Sequence, residues 1–117
     1  MLKKTIKYID YDGNEREEDF YFNFTEAELS ELELSVQGGL KQKLENIVKA
    51  KDTPEIIKQF KFIILKAYGE KSPDGRRFVK SEELSRDFSF TPAYSKLFME
   101  LATDADAASA FINGIIG

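Results

Sequence analysis

The stretch Phe20-Tyr21-Phe22-Asn23-Phe24-Thr25-Glu26-Ala27-Glu28 joins a strand pattern to the start of a helix. Phenylalanine recurs at every second position, which places three Phe side chains on one face of an extended strand. Thr25 and Glu28 form a Thr-x-x-Glu capping box, whose side chains satisfy free N–H groups at a helix start. We therefore predict a strand with an apolar face that passes directly into a helix.

The segment before this stretch has the features of a partner strand. Residues 5–9 are rich in β-branched and aromatic residues, and Asp12-Gly13 is typical of a turn with positive φ. A β-hairpin over residues 3–24 follows. Two strands alone are marginally stable in water, so we expect helices to pack on the Phe face.

The rest of the chain shows repeated helix starts and helical spacing of apolar residues. Ser81, Thr91-Pro92 and the run Thr103-Asp104-Ala105-Asp106 are typical of helix caps. Apolar residues in 54–68 occupy more of the helix surface than the single apolar stripe of an amphipathic helix, which predicts a central buried helix. Residues 69–80 are predicted to be a long polar connection, with a type I turn at residues 72–75. A helix that opens at Thr25 is predicted to stop at Gly38-Gly39, and a second carries Leu40, Leu44, Ile47 and Val48. A third spans 54–68, and the later helices follow the caps named above.

These patterns predict one α+β domain, mainly α, over residues 1–117. In this prediction the hairpin at 3–24 is followed by a compact bundle of five or six helices within residues 25–116.

Composition excludes several classes of function. The chain carries 17 basic and 21 acidic residues, a net charge of −4, which disfavours sequence-independent binding to nucleic acid. It has no Cys and no His, so it lacks thiolate zinc ligands and the commonest general base. No apolar run approaches the roughly 18 residues of a membrane span. We predict a non-enzymatic intracellular protein with no cofactor, no metal and no membrane partner.

The acidic clusters have simple structural explanations. Glu17-Glu18-Asp19 borders a turn, and Asp104 and Asp106 begin a helix, where negative charge is favourable. Asp10 would start a calcium-like loop, but the bidentate Glu required at the twelfth position falls on Tyr21. Turn chemistry explains this segment better than metal binding.

The C-terminal run Phe111-Ile112-Asn113-Gly114-Ile115-Ile116-Gly117 is strongly apolar, although chain ends are usually polar. Either it is buried in the core or it forms an apolar surface that meets another chain. We favour burial of Phe111 and Ile112 and leave Ile115 and Ile116 open.

Several strings of the sequence resemble tail assembly chaperones of long-tailed bacteriophages and prophages of Gram-positive bacteria. The hairpin carries Tyr-x-Asp-x-Asp-Gly-x-x-Arg-Glu-Glu, followed by the Phe-rich stretch quoted above. The other similar strings are residues 64–72, 74–78, 94–104 and 111–116. The resemblance covers nearly the whole chain.

The resemblance implies that the protein binds the aggregation-prone tape measure protein in the host cytoplasm and keeps it soluble while the tail tube polymerises. It also implies that a longer form, made by frameshifting, recruits tail tube protein; this chain ends as the short form would. Self-association is expected, since neighbouring copies on one client would touch. We place the partner contacts on the C-terminal helices, at Leu97, Leu101, Phe111, Ile115 and Ile116.

Two other functions are also compatible with a small acidic chain without catalytic residues. One is a structural component of the virion, such as a tail or head–tail connector protein. The other is a small phage-encoded regulatory protein that binds one host protein.

Overall fold

The computed structural model describes residues 1–35 and 53–116. The helix predicted over residues 40–48 lies outside them. The strands are β1 (Leu2–Ile9), β2 (Glu15–Phe22), β3 (Tyr68–Lys71) and β4 (Phe78–Val79). The helices in the described ranges are α1 (Glu26–Ser35), α2 (Thr53–Ala67), α3 (Glu82–Ser89), α4 (Pro92–Thr103) and α5 (Ala105–Ile116).

The N-terminal hairpin is confirmed. β1 and β2 pair antiparallel along their full length, from Leu2 opposite Phe22 to Ile9 opposite Glu15. Gly13 in the connecting turn has a φ of +85°, a conformation that favours glycine.

The prediction of a hairpin followed by a helical bundle is wrong. β3 and β4 form a second hairpin and extend the first into a four-stranded antiparallel sheet of order β1-β2-β3-β4. β3 begins at the residue after α2 ends, and Tyr68 pairs with Phe22 of β2. Residues 69–80, predicted to be a polar connection, therefore contain strand residues of the sheet.

A network around Ser72 explains how so polar a segment forms a hairpin. The Gly75 N–H donates to the Ser72 carbonyl at 2.9 Å, and the Ser72 N–H donates to the Arg77 carbonyl at 2.8 Å. The Ser72 hydroxyl is buried and bonds to the Asp74 carboxylate at 2.6 Å. The predicted turn is present, but its hydrogen bonds close a pair of strands.

The predicted helix starts are satisfied by their own side chains. The Glu28 N–H donates to Thr25 Oγ1 at 3.1 Å and the Thr25 N–H donates to Glu28 Oε1 at 3.0 Å, which confirms the capping box. Ser81 and Thr91 accept from the N–H groups three residues on. Asp104 accepts from two N–H groups at the start of α5.

The core lies where the sheet meets α2, α3, α4 and α5. Phe22 is fully buried in its centre, and its ring centroid lies 5.3 Å from that of Phe111 on α5. Burial of Phe111 and Ile112 is confirmed. The other buried apolar residues are Ile6, Phe24, Phe60, Ile63, Ile64, Ala67, Phe88, Ala93, Leu97, Leu101, Ala108 and Ile115.

α2 is not a fully buried helix, contrary to the prediction from its composition. Phe60, Ile63 and Ala67 lie on its core face, at helical spacing. Ile57 and Phe62 are 44% and 41% exposed. The apolar residues in excess of one stripe therefore lie at the surface.

Gly69 permits the close approach of β4 to β3. A Cβ atom at this position would lie 2.7 Å from the Phe78 ring and 2.7 Å from the Val79 carbonyl oxygen. We expect Gly69→Ala to destabilise the protein by about 1–3 kcal/mol, because the backbone of β4 would have to move. Thermal unfolding followed by circular dichroism measures this loss.

Gly114→Ala is the matched control. There the added Cβ would meet only the tip of the Leu2 side chain, at 3.0 Å. Alanine also favours a helix over glycine by up to about 1 kcal/mol. We expect an unchanged or higher melting temperature, and equal losses in the two variants would contradict this account of the second hairpin.

Candidate functional site

An open groove with a volume of about 790 Å³ lies between α2 and α3. α2 contributes one face and α3 the other, and the Ser85 hydroxyl of α3 donates to the Leu65 carbonyl of α2 at 2.7 Å. The lining residues are Glu28, Lys58, Lys61, Phe62, Leu65, Lys66, Lys80, Ser81, Glu82, Ser85, Arg86, Ser89 and Phe90.

The apolar part of the groove consists of three side chains. Phe62 and Leu65 come from α2, and Phe90 follows the last residue of α3. Phe62 is 41% exposed and Phe90 is 65% exposed, the highest value for a Phe among the described residues. Apolar side chains scattered singly on a surface are ordinary, but two open Phe rings in one groove are typical of a binding surface.

The polar part of the groove is mainly basic. Among residues 1–35 and 53–116, five basic and two acidic side chains line it, although the chain as a whole has a net charge of −4. Lys80 pairs with Glu28. The other four cations form no ion pair with any carboxylate in residues 1–35 and 53–116; they are Lys58, Lys61, Lys66 and Arg86. The described residues of the groove thus combine exposed aromatic rings with an excess of positive charge.

Lys80 has a structural role at one end of the groove. Its Nζ lies 2.6 Å from Glu28 Oε2 and 2.6 Å from the Asn23 carbonyl oxygen. The same nitrogen lies 4.6 Å from the centre of the Phe24 ring. Burial raises the pKa of Glu28, but the hydrogen bonds from Lys80 and from the Thr25 N–H outweigh burial and leave that pKa below its ordinary value. Lys80 therefore ties α1 to the end of β2.

A protein-family model described as phage tail assembly chaperone matches residues 1–117. The chain belongs to the phage tail assembly chaperone family. This family indicates a non-enzymatic role with protein partners in tail assembly. Comparison with curated proteins gave no significant match, and comparison with solved structures gave none either. No helix in the described ranges of this chaperone is long and apolar enough to cross a bilayer.

The residues predicted to contact partners lie in the core of this chaperone. Leu97, Leu101, Phe111 and Ile115 are each 1–2% exposed. The side chain of Ile116 lies outside the described part of the structure. Partner binding through these residues stays a prediction, and in this conformation only their exposed neighbours are open to another chain.

The acidic residues weighed as sites serve turns and helix starts. Asp10 accepts from the N–H groups of Asp12 and Asn14 and from Arg16 Nε at 2.6 Å. The Arg16 guanidinium, together with the turn N–H groups, holds the pKa of Asp10 below its usual value. No group of three or more acidic residues in the described ranges is arranged to hold a metal ion.

Sequence reasoning did not identify the groove of this chaperone. Its residues come from two helices separated by the second hairpin, and the surplus of apolar residues on α2 was assigned to the core. One sequence feature could have indicated that part of α2 is exposed: Lys58, Lys61 and Lys66 alternate with its apolar residues. A fully buried helix rarely carries several Lys side chains.

The ion pair between Glu28 and Lys80 gives an acid-dependent contribution to stability. A carboxyl group whose pKa is lowered on folding stabilises the protein above its unfolded pKa, and the effect is lost as pH falls through the folded pKa. We expect Glu28→Gln to cost at most about 1 kcal/mol at neutral pH, because the Glu28 side chain is 35% exposed. The measurement is thermal unfolding of both proteins from neutral pH to below the ordinary Glu pKa of about 4.3.

The difference between the two melting temperatures should shrink as pH falls through that range. A difference that stays constant down to the lowest pH would show that the carboxylate charge of Glu28 is not the source of the stabilisation.

Ile115 provides a test of the predicted partner residues. Asp at this position would place an unpaired charge in the core, and we expect Ile115→Asp to lose about 3–5 kcal/mol or more of stability. Ala110→Asp, on the exposed side of the same helix, should cost far less. Urea denaturation compares the two. An Ile115→Asp variant that keeps its stability but loses a partner would support the original assignment of Ile115 to a partner contact.

Proposed function

We propose that this protein binds the tape measure protein encoded with it and keeps that protein soluble in the host cytoplasm while the tail tube polymerises. The observation that carries the proposal is the family match over residues 1–117. The groove with exposed Phe62 and Phe90 supports it, since a chaperone needs accessible apolar surface to hold an aggregation-prone client.

Weak individual contacts are sufficient for this function. A long client offers many sites, so bound copies act together and their combined affinity exceeds that of one contact. A net charge of −4 helps to keep such an assembly soluble. A longer form of the chain would recruit tail tube protein to the same client.

Self-association of neighbouring copies belongs to the same proposal. Large apolar side chains outside the groove are also exposed, and they include Tyr11 at 83% and Val79 at 46%. These residues are available for contacts between copies on one client.

Co-expression with the tape measure protein of the same genome tests the function, because only a client-binding chain should change the solubility of that protein. We expect a soluble tape measure protein only when this chain is present, in a complex with several copies of it. Light scattering after gel filtration gives the stoichiometry.

An insoluble tape measure protein beside free chain would contradict the proposal. Finding the chain in purified particles would favour a structural virion component instead. Tight binding to one host protein, with no tail protein bound, would favour a regulatory protein.

A further inference from the structure

We propose that the groove between α2 and α3 binds an amphipathic helix whose apolar stripe is flanked by carboxylates. The inference rests on the proposed function, because it assigns this helix to the tape measure protein. It goes beyond that function by naming the surface of the chaperone and the chemistry of the client segment.

The shape of the groove suits a helix. On α2 the groove residues Lys58, Lys61, Phe62, Leu65 and Lys66 follow the spacing of one helical face. This face extends along about 12 Å of the helix axis, or about two turns. A partner helix lying in such a groove would present apolar residues at every third or fourth position.

The aromatic rings supply the apolar contact. Phe62 lies on α2 and Phe90 directly follows α3, and both rings are exposed to solvent. Aromatic side chains in the centre of an interface commonly dominate the binding energy. A partner that covers both rings would remove the largest exposed apolar side chains of the groove from water.

Charge complementarity selects the partner. Lys58, Lys61, Lys66 and Arg86 form no ion pair among the described residues, where Glu82 is the one acidic lining residue outside the Lys80 pair. Lys66 also lies 5.9 Å from the Phe62 ring, which places a positive charge directly beside the apolar surface. A helix with carboxylates beside its apolar stripe would be attracted there, and a basic one would be repelled.

The first experiment tests the aromatic contact. Overlapping segments of the tape measure protein, about 25 residues long so that each can form several helical turns, are titrated with the full-length chain by fluorescence anisotropy. We expect the tightest binders to be amphipathic segments with acidic flanks. Phe62→Gln with Phe90→Gln should weaken them at least about tenfold.

Ile9→Thr with Met99→Gln is the matched control, because both residues are large, apolar and exposed outside the groove. It should leave affinity within about twofold of the parent, as expected for residues outside the centre of an interface. Circular dichroism of every variant checks that the fold is retained.

The second experiment tests the charges. Lys58→Glu with Lys61→Glu should weaken the same segments about tenfold at low salt, and less at about 1 M salt, where the Debye length is about 3 Å. Arg76→Glu with Arg77→Glu makes the same charge change at exposed positions on the second hairpin. That control should have little effect.

A charge swap distinguishes a direct contact of Lys58 and Lys61 with the client from a structural role of the two lysines. A client segment with its flanking carboxylates changed to Lys should bind the Lys58→Glu, Lys61→Glu chain better than the parent chain. A purely structural role for the two lysines would not produce this reversal.

The outcomes separate the two proposals. If the parent chain binds no segment of the tape measure protein, the proposed function fails. If it binds segments and the groove variants bind them equally well, or the tightest segments are basic, the groove assignment alone is wrong. If the groove variants only dissociate oligomers of this chain, the groove is occupied by a second copy and the proposal is overturned.

Discussion

The structure depends on the burial of one aromatic ring, that of Phe22. This side chain is fully buried, and its ring lies 5.8 Å from Tyr68, 5.8 Å from Phe88 and 5.3 Å from Phe111. These partners belong to β3, α3 and α5, so one side chain contacts three elements that are distant in sequence. Such aromatic pairs stabilise by about 0.5–1.5 kcal/mol each beyond the area they bury. The hydrogen bond from the Phe24 N–H to the Ile115 carbonyl holds the chain against α5 just after the strand ends.

The same cluster positions the groove. Phe88 stacks on Tyr68 with ring centroids 4.2 Å apart, which anchors one face of α3 on the sheet. α3 also lies against α2, where the Ser85 hydroxyl donates to the Leu65 carbonyl, and Phe90 follows the last residue of α3 beside the groove. The groove is thus a consequence of core packing, although its own residues are largely exposed. The exposed side chains of the groove, such as Phe62, can therefore be substituted without removing a core contact.

Local signals in the sequence identified most of the individual elements. The Phe stripe, the Asp12-Gly13 turn and the capping box act over a few residues, so their physical effect can be judged without knowing the rest of the fold. The second hairpin could not be identified in this way. β3 and β4 pair with each other through only two residues on each strand. β3 joins the rest of the sheet through Tyr68 and Gly69, whose partners Phe22 and Tyr21 lie about 46 residues or more away along the chain. Few side chains in residues 69–80 have the β-branched character that marks a strand.

The candidate site was harder to predict than the fold. Composition indicated a binding protein without catalytic groups, and the resemblance of the strings indicated its family, which the full-length match confirmed. The predicted contact residues were chosen because they are apolar, and that property alone does not distinguish a core from an interface. Leu97 and Phe111 lie in the core because the sheet covers α4 and α5, whereas Phe62 on α2 is among the apolar residues that stay exposed.

The sequence by itself determined the helix starts, the first hairpin, the absence of His and Cys chemistry and the family. The helix starts and the hairpin turn depend on neighbours within a few positions, the missing chemistry depends on residue types, and the family depends on the sequence along residues 1–117. Only the tertiary structure decided which apolar faces are covered, because coverage depends on the sheet order and on the direction in which α3 leaves the second hairpin. For that reason α2, which was predicted to be a central buried helix, forms one side of an open groove lined mainly by basic residues.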